Sequence, residues 1–120
     1  MSRPATILSW LLQLGLAAVF LYAGSKKLLA DPMMVEAFTQ VGLGQWFRLL
    51  TGVLEVGGGI GLLIPAMAAN AALMLAVVMA GAAVAHLTVL GGSPLLAFAF
   101  LAGCLAIVWL RRQSLPLSRG

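Results

Sequence analysis

Four windows of the chain, Thr6 to Ser25, Phe47 to Ile64, Ala68 to Leu90 and Pro94 to Leu110, are built almost wholly of apolar side chains, and the polar residues inside them stand singly. A hydrocarbon core is crossed by roughly 20 helical residues, and shorter runs are accommodated by tilt or local thinning. The pattern predicts an all-α chain: an integral membrane four-helix bundle forming a single transmembrane domain over residues 1–120. The connections are short, so neighbouring spans are expected to run antiparallel. Pro65 is expected to follow the second span, and Asn70 sits early in the third. In Gly91-Gly92-Ser93-Pro94, Ser93 can cap the helix that Pro94 starts.

The longest connection, Leu28 to Trp46, is not a plain loop. Asp31-Pro32 is an N-cap and first-turn signal, and Glu36 is favourably placed near the helix N-terminus. Met33, Met34, Ala37, Phe38 and Val41 then repeat at helical spacing up to Gly42. A short amphipathic helix is expected between the first and second spans, on the membrane surface or tucked against the bundle, as a lid or as a gate over a lateral ligand entrance. Trp46 with Phe47, and Trp10 and Trp109 elsewhere, suit interfacial anchoring. Gly57-Gly58-Gly59-Ile60-Gly61 contains a Gly-x-x-x-Gly pair. The third span carries Ala72, Ala76, Ala80 and Gly81 at small-x-x-x-small spacing, so close packing of the second and third spans follows.

Composition sharpens the class. Of 120 residues, 62% are hydrophobic and 8% charged, and the mean hydropathy is +1.10, too apolar for a soluble surface. A net charge of +4 and a pI near 10.3 raise nucleic acid as a partner, but the basic residues form no stripe and membrane orientation explains them better. Arg3, Arg111, Arg112 and Arg119 fall on the side of both termini, and Lys26, Lys27 and Arg48 on the other, which predicts N-in, C-in insertion with cytoplasmic termini. The opening Met1-Ser2-Arg3 and its apolar sequel resemble a signal peptide cut near Ala23-Gly24. The apolar stretch exceeds the roughly 7–15-residue signal core, so it is expected to stay as a true span. Cys104, the only cysteine, excludes an intrachain redox pair and is expected to be small apolar filler.

Against this background Glu55 stands out, because an ionisable group at membrane depth is costly and has a job or a partner. Thr51, Gly52, Gly58 and Gly59 share its helical face, which is small and partly polar. Counted from the Lys-bearing side, Glu55 lies roughly 12 Å deep and His86 roughly 6 Å, with Lys27 at the mouth of the first span. All three belong to one leaflet. Lys27 can snorkel inward to Glu55, and Lys26 and Arg48 are further candidate partners. Glu55 and His86 could exchange protons or hydrogen-bond the carbonyls of a quinone-like head group whose tail stays in lipid. Tyr22, one turn before Lys26, could add a hydroxyl or an aromatic wall. The candidate ligand-binding set is therefore Glu55, His86, Lys27, Tyr22 and Lys26. The alternative for the same residues is an ion pair that sets helix register, with His86 a satisfied interior residue. A lone histidine supplies one axial ligand, so no metal or haem site is completed within the chain.

Three elements carry a family resemblance: Ala23-Gly24-Ser25-Lys26-Lys27-Leu28 at the end of the first window; Gly52-Val53-Leu54-Glu55 followed by Gly57-Gly58 and Leu62-Leu63-Ile64-Pro65; and Ala85-His86 late in the third. In their order and spacing, roughly from Leu12 to Arg112, the chain resembles the DoxX and DoxX-like family of small four-span bacterial and archaeal membrane proteins. The resemblance implies a four-helix bundle in the cytoplasmic (inner) membrane, with the family's polar signature on Lys27, Glu55 and His86. It also implies a redox setting, because the family takes its name from a subunit of an archaeal quinone-linked oxidase and thiosulfate-quinone oxidoreductase system.

The leading expectation is a redox-accessory protein that binds a quinone or similar lipophilic ligand between its helices. It encodes no cofactor of its own and acts with a partner oxidoreductase, since no electron-carrying site is present. Competing expectations are a structural subunit or homo-oligomer without chemistry, and a small proton or solute carrier using Glu55 and His86 as a relay. An independent enzyme is not expected: His86 and Asp31 lie on different elements, and no phosphate-loop motif accompanies the glycines.

Overall fold

The computed structural model describes residues 2–115, and helices with short turns account for nearly all of them. Arg119, counted above toward the terminal side, lies outside the described residues. Helix α1 spans Arg3–Leu28, with the Ser2 hydroxyl accepting from the Ala5 amide at 3.3 Å. It stops where Ala30 takes a left-handed conformation at φ 59°.

The short helix α2, Pro32–Val41, forms as its signals predict. The Asp31 carboxylate accepts from the Met33 amide at 2.9 Å, and Gly42 closes the helix at φ 84°, a geometry that glycine adopts without strain. The helix tucks against the bundle end. Phe38 meets Phe47 edge to face at 5.9 Å, and Gln45 Nε2 donates to the Val35 carbonyl at 3.3 Å.

Helix α3 spans Gln45–Leu62 and α4 spans Pro65–Ala85, continuing through a π-helical turn at His86–Leu90. Helix α5, Leu95–Leu110, starts where the Ser93 hydroxyl accepts from the Leu95 amide at 3.1 Å. Two boundaries differ from expectation. Pro65 opens α4 instead of standing in the loop, because the first helical position has no use for the N–H that proline lacks. The third span is also not one regular helix, since its last turn widens at His86.

The four long helices close a ring in the order α1, α3, α4, α5. Each neighbouring pair runs antiparallel, as cross-contacts show. A Cβ on Gly24 would touch Val56 and one on Gly59 would touch Leu21, while Gly58 faces Leu75 and Gly61 faces Ala71. Phe20 of α1 meets Phe100 of α5 at 6.1 Å. The α1–α3 contact is the most extensive of the ring and the α1–α5 contact the sparsest. Packing of α3 on α4 uses Gly58 against Leu75 and Gly61 against Ala71; Ala72 and Ala76 are also buried on α4. Gly57, Ala80 and Gly81, expected at that contact, face outward instead.

The core joins Phe20, Leu62, Leu75, Met79, Cys104 and Ile107. The outside carries Ile7, Leu8, Leu11, Leu14, Val77 and Leu95, all exposed, while Ser9, Gln13, Arg48 and Glu55 are buried. Large apolar side chains on the outside and buried polar ones within depart from the surface of an ordinary soluble domain. Two helices, Arg3–Leu28 and Pro65–Leu90, are long and apolar enough to cross a membrane.

Candidate functional site

Lys26 and Lys27 end α1 on neighbouring positions about 100° apart around the helix, so only one can face the bundle. It is Lys27. Its Nζ lies 2.6 Å from Glu55 Oε1, with the two side chains 14% and 2% exposed. Glu55 shares the inner face of α3 with Gly52, Gly58 and Gly59. The glycines let α1 approach closely enough for the lysine to reach the acid: a Cβ on Gly52 would stand 3.1 Å from the Gly24 carbonyl oxygen. Arg48, a candidate partner for Glu55, goes elsewhere. It donates through a terminal nitrogen to the Lys27 carbonyl and through Nε to Gln45 Oε1 at 2.8 Å. The guanidinium of α3 thus holds the backbone of the residue whose ammonium meets Glu55.

His86 is the first residue of the π turn, and its Nδ1 lies 3.0 Å from the Gly91 carbonyl oxygen. A carbonyl only accepts, so Nδ1 carries the proton of that bond. Lys27, Glu55 and His86 line one cavity of about 180 Å³, walled by Phe20, Met79 and Phe100. All four long helices contribute to its lining. Three chemical functions therefore meet on an apolar-walled space: an ammonium donor, a carboxylate acceptor and an imidazole that can accept or pass a proton.

Tyr22 and Lys26, placed in the candidate set from sequence, do not line the cavity. Tyr22 is 65% exposed, and Lys26 Nζ sits 5.0 Å from its ring centroid and 3.5 Å from Asp31 Oδ2. The reason is helical geometry. Tyr22 and Lys26 are four residues apart and share a face, so when Lys27 turns inward both turn out together.

A second polar cluster lies at the opposite end of the bundle, and it was missed. Gln13 Nε2 donates to the Leu62 carbonyl at 2.7 Å, and Gln13 Oε1 accepts from the Ser9 hydroxyl at 2.6 Å and from Arg111 Nε at 3.0 Å. Arg111 Nε also lies 3.0 Å from Ser9 Oγ, and its guanidinium stands 5.5 Å from the Trp10 ring centroid. The Leu62 carbonyl ends α3 and has no amide one turn further on to serve it. The signal was present in the sequence, as two polar residues four apart in an apolar helix with an arginine directly after the last span.

The pattern that defines the DoxX-like family matches residues 11–110. That stretch contains both polar clusters except for Ser9, Trp10 and Arg111. No curated protein and no solved structure matches the chain.

Proposed function

The chain belongs to the DoxX-like family, and from that premise we propose a four-span protein of the cytoplasmic membrane that holds the head group of a quinone or similar lipophilic ligand between Lys27, Glu55 and His86. A partner oxidoreductase supplies the electrons, and both termini face the cytoplasm. One observation carries this reading. The three groups that can hydrogen-bond a head group converge on a single cavity whose remaining walls are apolar.

Size supports the assignment. A cavity of about 150 Å³ accepts benzene, so the space of about 180 Å³ beside Lys27, Glu55 and His86 is of the size of one six-membered ring. The tail leaves through the α1–α5 seam, the sparsest contact of the ring, flanked by Val19 and Leu96 of the cavity lining. Lys27 donates to one ring carbonyl, and Glu55 holds the lysine in place. His86 serves the opposite carbonyl in its doubly protonated form, donating from Nε2 while Nδ1 stays on the Gly91 carbonyl, and the proton it passes on leaves the ring neutral.

The test is organic extraction and mass spectrometry of lipophilic molecules retained by the purified protein. A quinone at near-stoichiometric amount, lost in Glu55→Gln, is the expected result. A protein free of such molecules, and unable to bind added quinone analogue, overturns the proposal.

The structural-subunit reading is favoured by a different observation, the burial of the Lys27–Glu55 pair between α1 and α3. In that case Glu55→Gln lowers thermal stability or assembly while ligand content is unchanged.

A further inference from the structure

Helix α4 has two faces that serve different purposes. Ala68, Ala72, Leu75, Ala76, Met79 and Ala83 point inward and are buried. On the opposite side Ala66, Asn70, Leu73, Val77, Ala80 and Val84 are all exposed, and they recur at steps of four, three, four, three and four. That alternation has the spacing of the seam of a left-handed helix pair, which would put Asn70, Val77 and Val84 at one core position of the heptad and Ala66, Leu73 and Ala80 at the other. Nothing in the fold covers it: Val77 is 68% exposed and Leu73 47%. A Cβ built on the adjacent Gly81 would touch nothing within 4 Å, so a neighbouring helix could come close there.

Asn70 decides what the occupant is. Among the described residues its amide has no hydrogen-bond partner, and it lies five residues inside Pro65, about 8 Å along the helix, on an otherwise apolar face. A carboxamide carries both donor and acceptor and is complementary to another carboxamide. Copies of one chain insert with the same orientation, so a two-fold axis between them lies along the membrane normal and sets α4 parallel to α4. In a parallel pair each core position faces its own counterpart, and Asn70 then meets Asn70 of the second copy. A single polar residue at such a position sets register and oligomeric state.

We infer that the outer face of α4 is a homodimer contact, with the occupant a second copy of this chain, registered by the Asn70 pair. The parallel geometry rests on the spanning arrangement proposed above; the ligand site plays no part in it.

The test uses single cysteines in a Cys104→Ala background, oxidised in membranes. Leu73→Cys and Val77→Cys should give a covalent product of twice the chain mass. The yield should be at least 10-fold above Leu14→Cys on α1 and Leu105→Cys on α5, which are similarly exposed. Equal yields from all four positions, or a product of any other mass, overturn the proposal. In the uncrosslinked protein, Asn70→Val should raise the dimer dissociation constant measured by energy transfer about 3- to 20-fold, with Asn70→Gln close to the parent. No change in Asn70→Val overturns the registering role. Reporters at the termini test the spanning arrangement separately.

Discussion

Arg48 holds the backbone carbonyl of Lys27, so the lysine that meets Glu55 is fixed at its main chain by one side chain of α3 and at its ammonium by another. The cavity's one cation is therefore placed by α3 from both ends, and its position does not depend on the ligand.

Removing one member of the Lys27–Glu55 pair leaves a buried charge unmatched, which costs about 3–5 kcal/mol. Lys27→Met should lower the thermal midpoint in detergent sharply. Lys27→Met combined with Glu55→Leu should recover much of the loss, because two apolar groups leave nothing uncompensated. A double variant as unstable as the sum of the singles would show that the two residues act independently.

The glycines of α3 and α1 should separate cleanly by position. A Cβ on Gly24 would stand 2.9 Å from both the Gly52 carbonyl oxygen and the Val56 amide nitrogen. Neither is the movable end of a side chain, so Gly24→Ala should destabilise by about 1–3 kcal/mol. Gly57→Ala adds a methyl to open space and should be neutral or stabilising by up to about 1 kcal/mol. Thermal unfolding of the two variants side by side checks the contrast.

Gln13→Leu keeps the side-chain bulk but removes the side-chain donor to the Leu62 carbonyl and the amide oxygen that accepts from the Ser9 hydroxyl and Arg111. A cost of about 1–3 kcal/mol is expected, read from thermal unfolding. Occupancy of the proposed ligand site should be unchanged in the folded fraction, because this cluster lies at the other end of the bundle from the cavity.

Orientation is checked by paired reporters that are active on only one side of the membrane. Fusions after Arg112 and before Arg3 should both report the cytoplasm, and a fusion within the α2 segment the opposite side. Arg111→Glu with Arg112→Glu should weaken that preference.

Much of this was legible in the sequence because charged residues are so scarce. With few ionisable groups in the apolar windows, Lys27, Glu55 and His86 could be placed at one end by counting residues, and they meet there. The choice between Lys26 and Lys27 was not legible. It depends on which face of α1 meets α3, and that is set by the approach of Gly24 to Gly52. Arg48 was weighed as a partner for a carboxylate, but it serves a backbone carbonyl, a use that leaves no mark on spacing. The π turn at His86–Leu90 has no compositional signature either, although it determines where the imidazole points. The cluster of Ser9, Gln13 and Arg111 was legible in principle, since Ser9 and Gln13 stand four apart in an apolar helix, but which carbonyl Gln13 serves depends on where α3 ends beside α1.

Gln13 of α1 occupies the last carbonyl of α3 at one extremity, and Arg48 of α3 occupies a carbonyl in the last turn of α1 at the other. Bolted crosswise at both tips, these two rods cannot slide past one another without breaking a bolt. Relative movement within the bundle falls instead to the contacts these two rods make with α4 and α5, and the sparsest of those, between α1 and α5, is itself pinned at one end by Arg111.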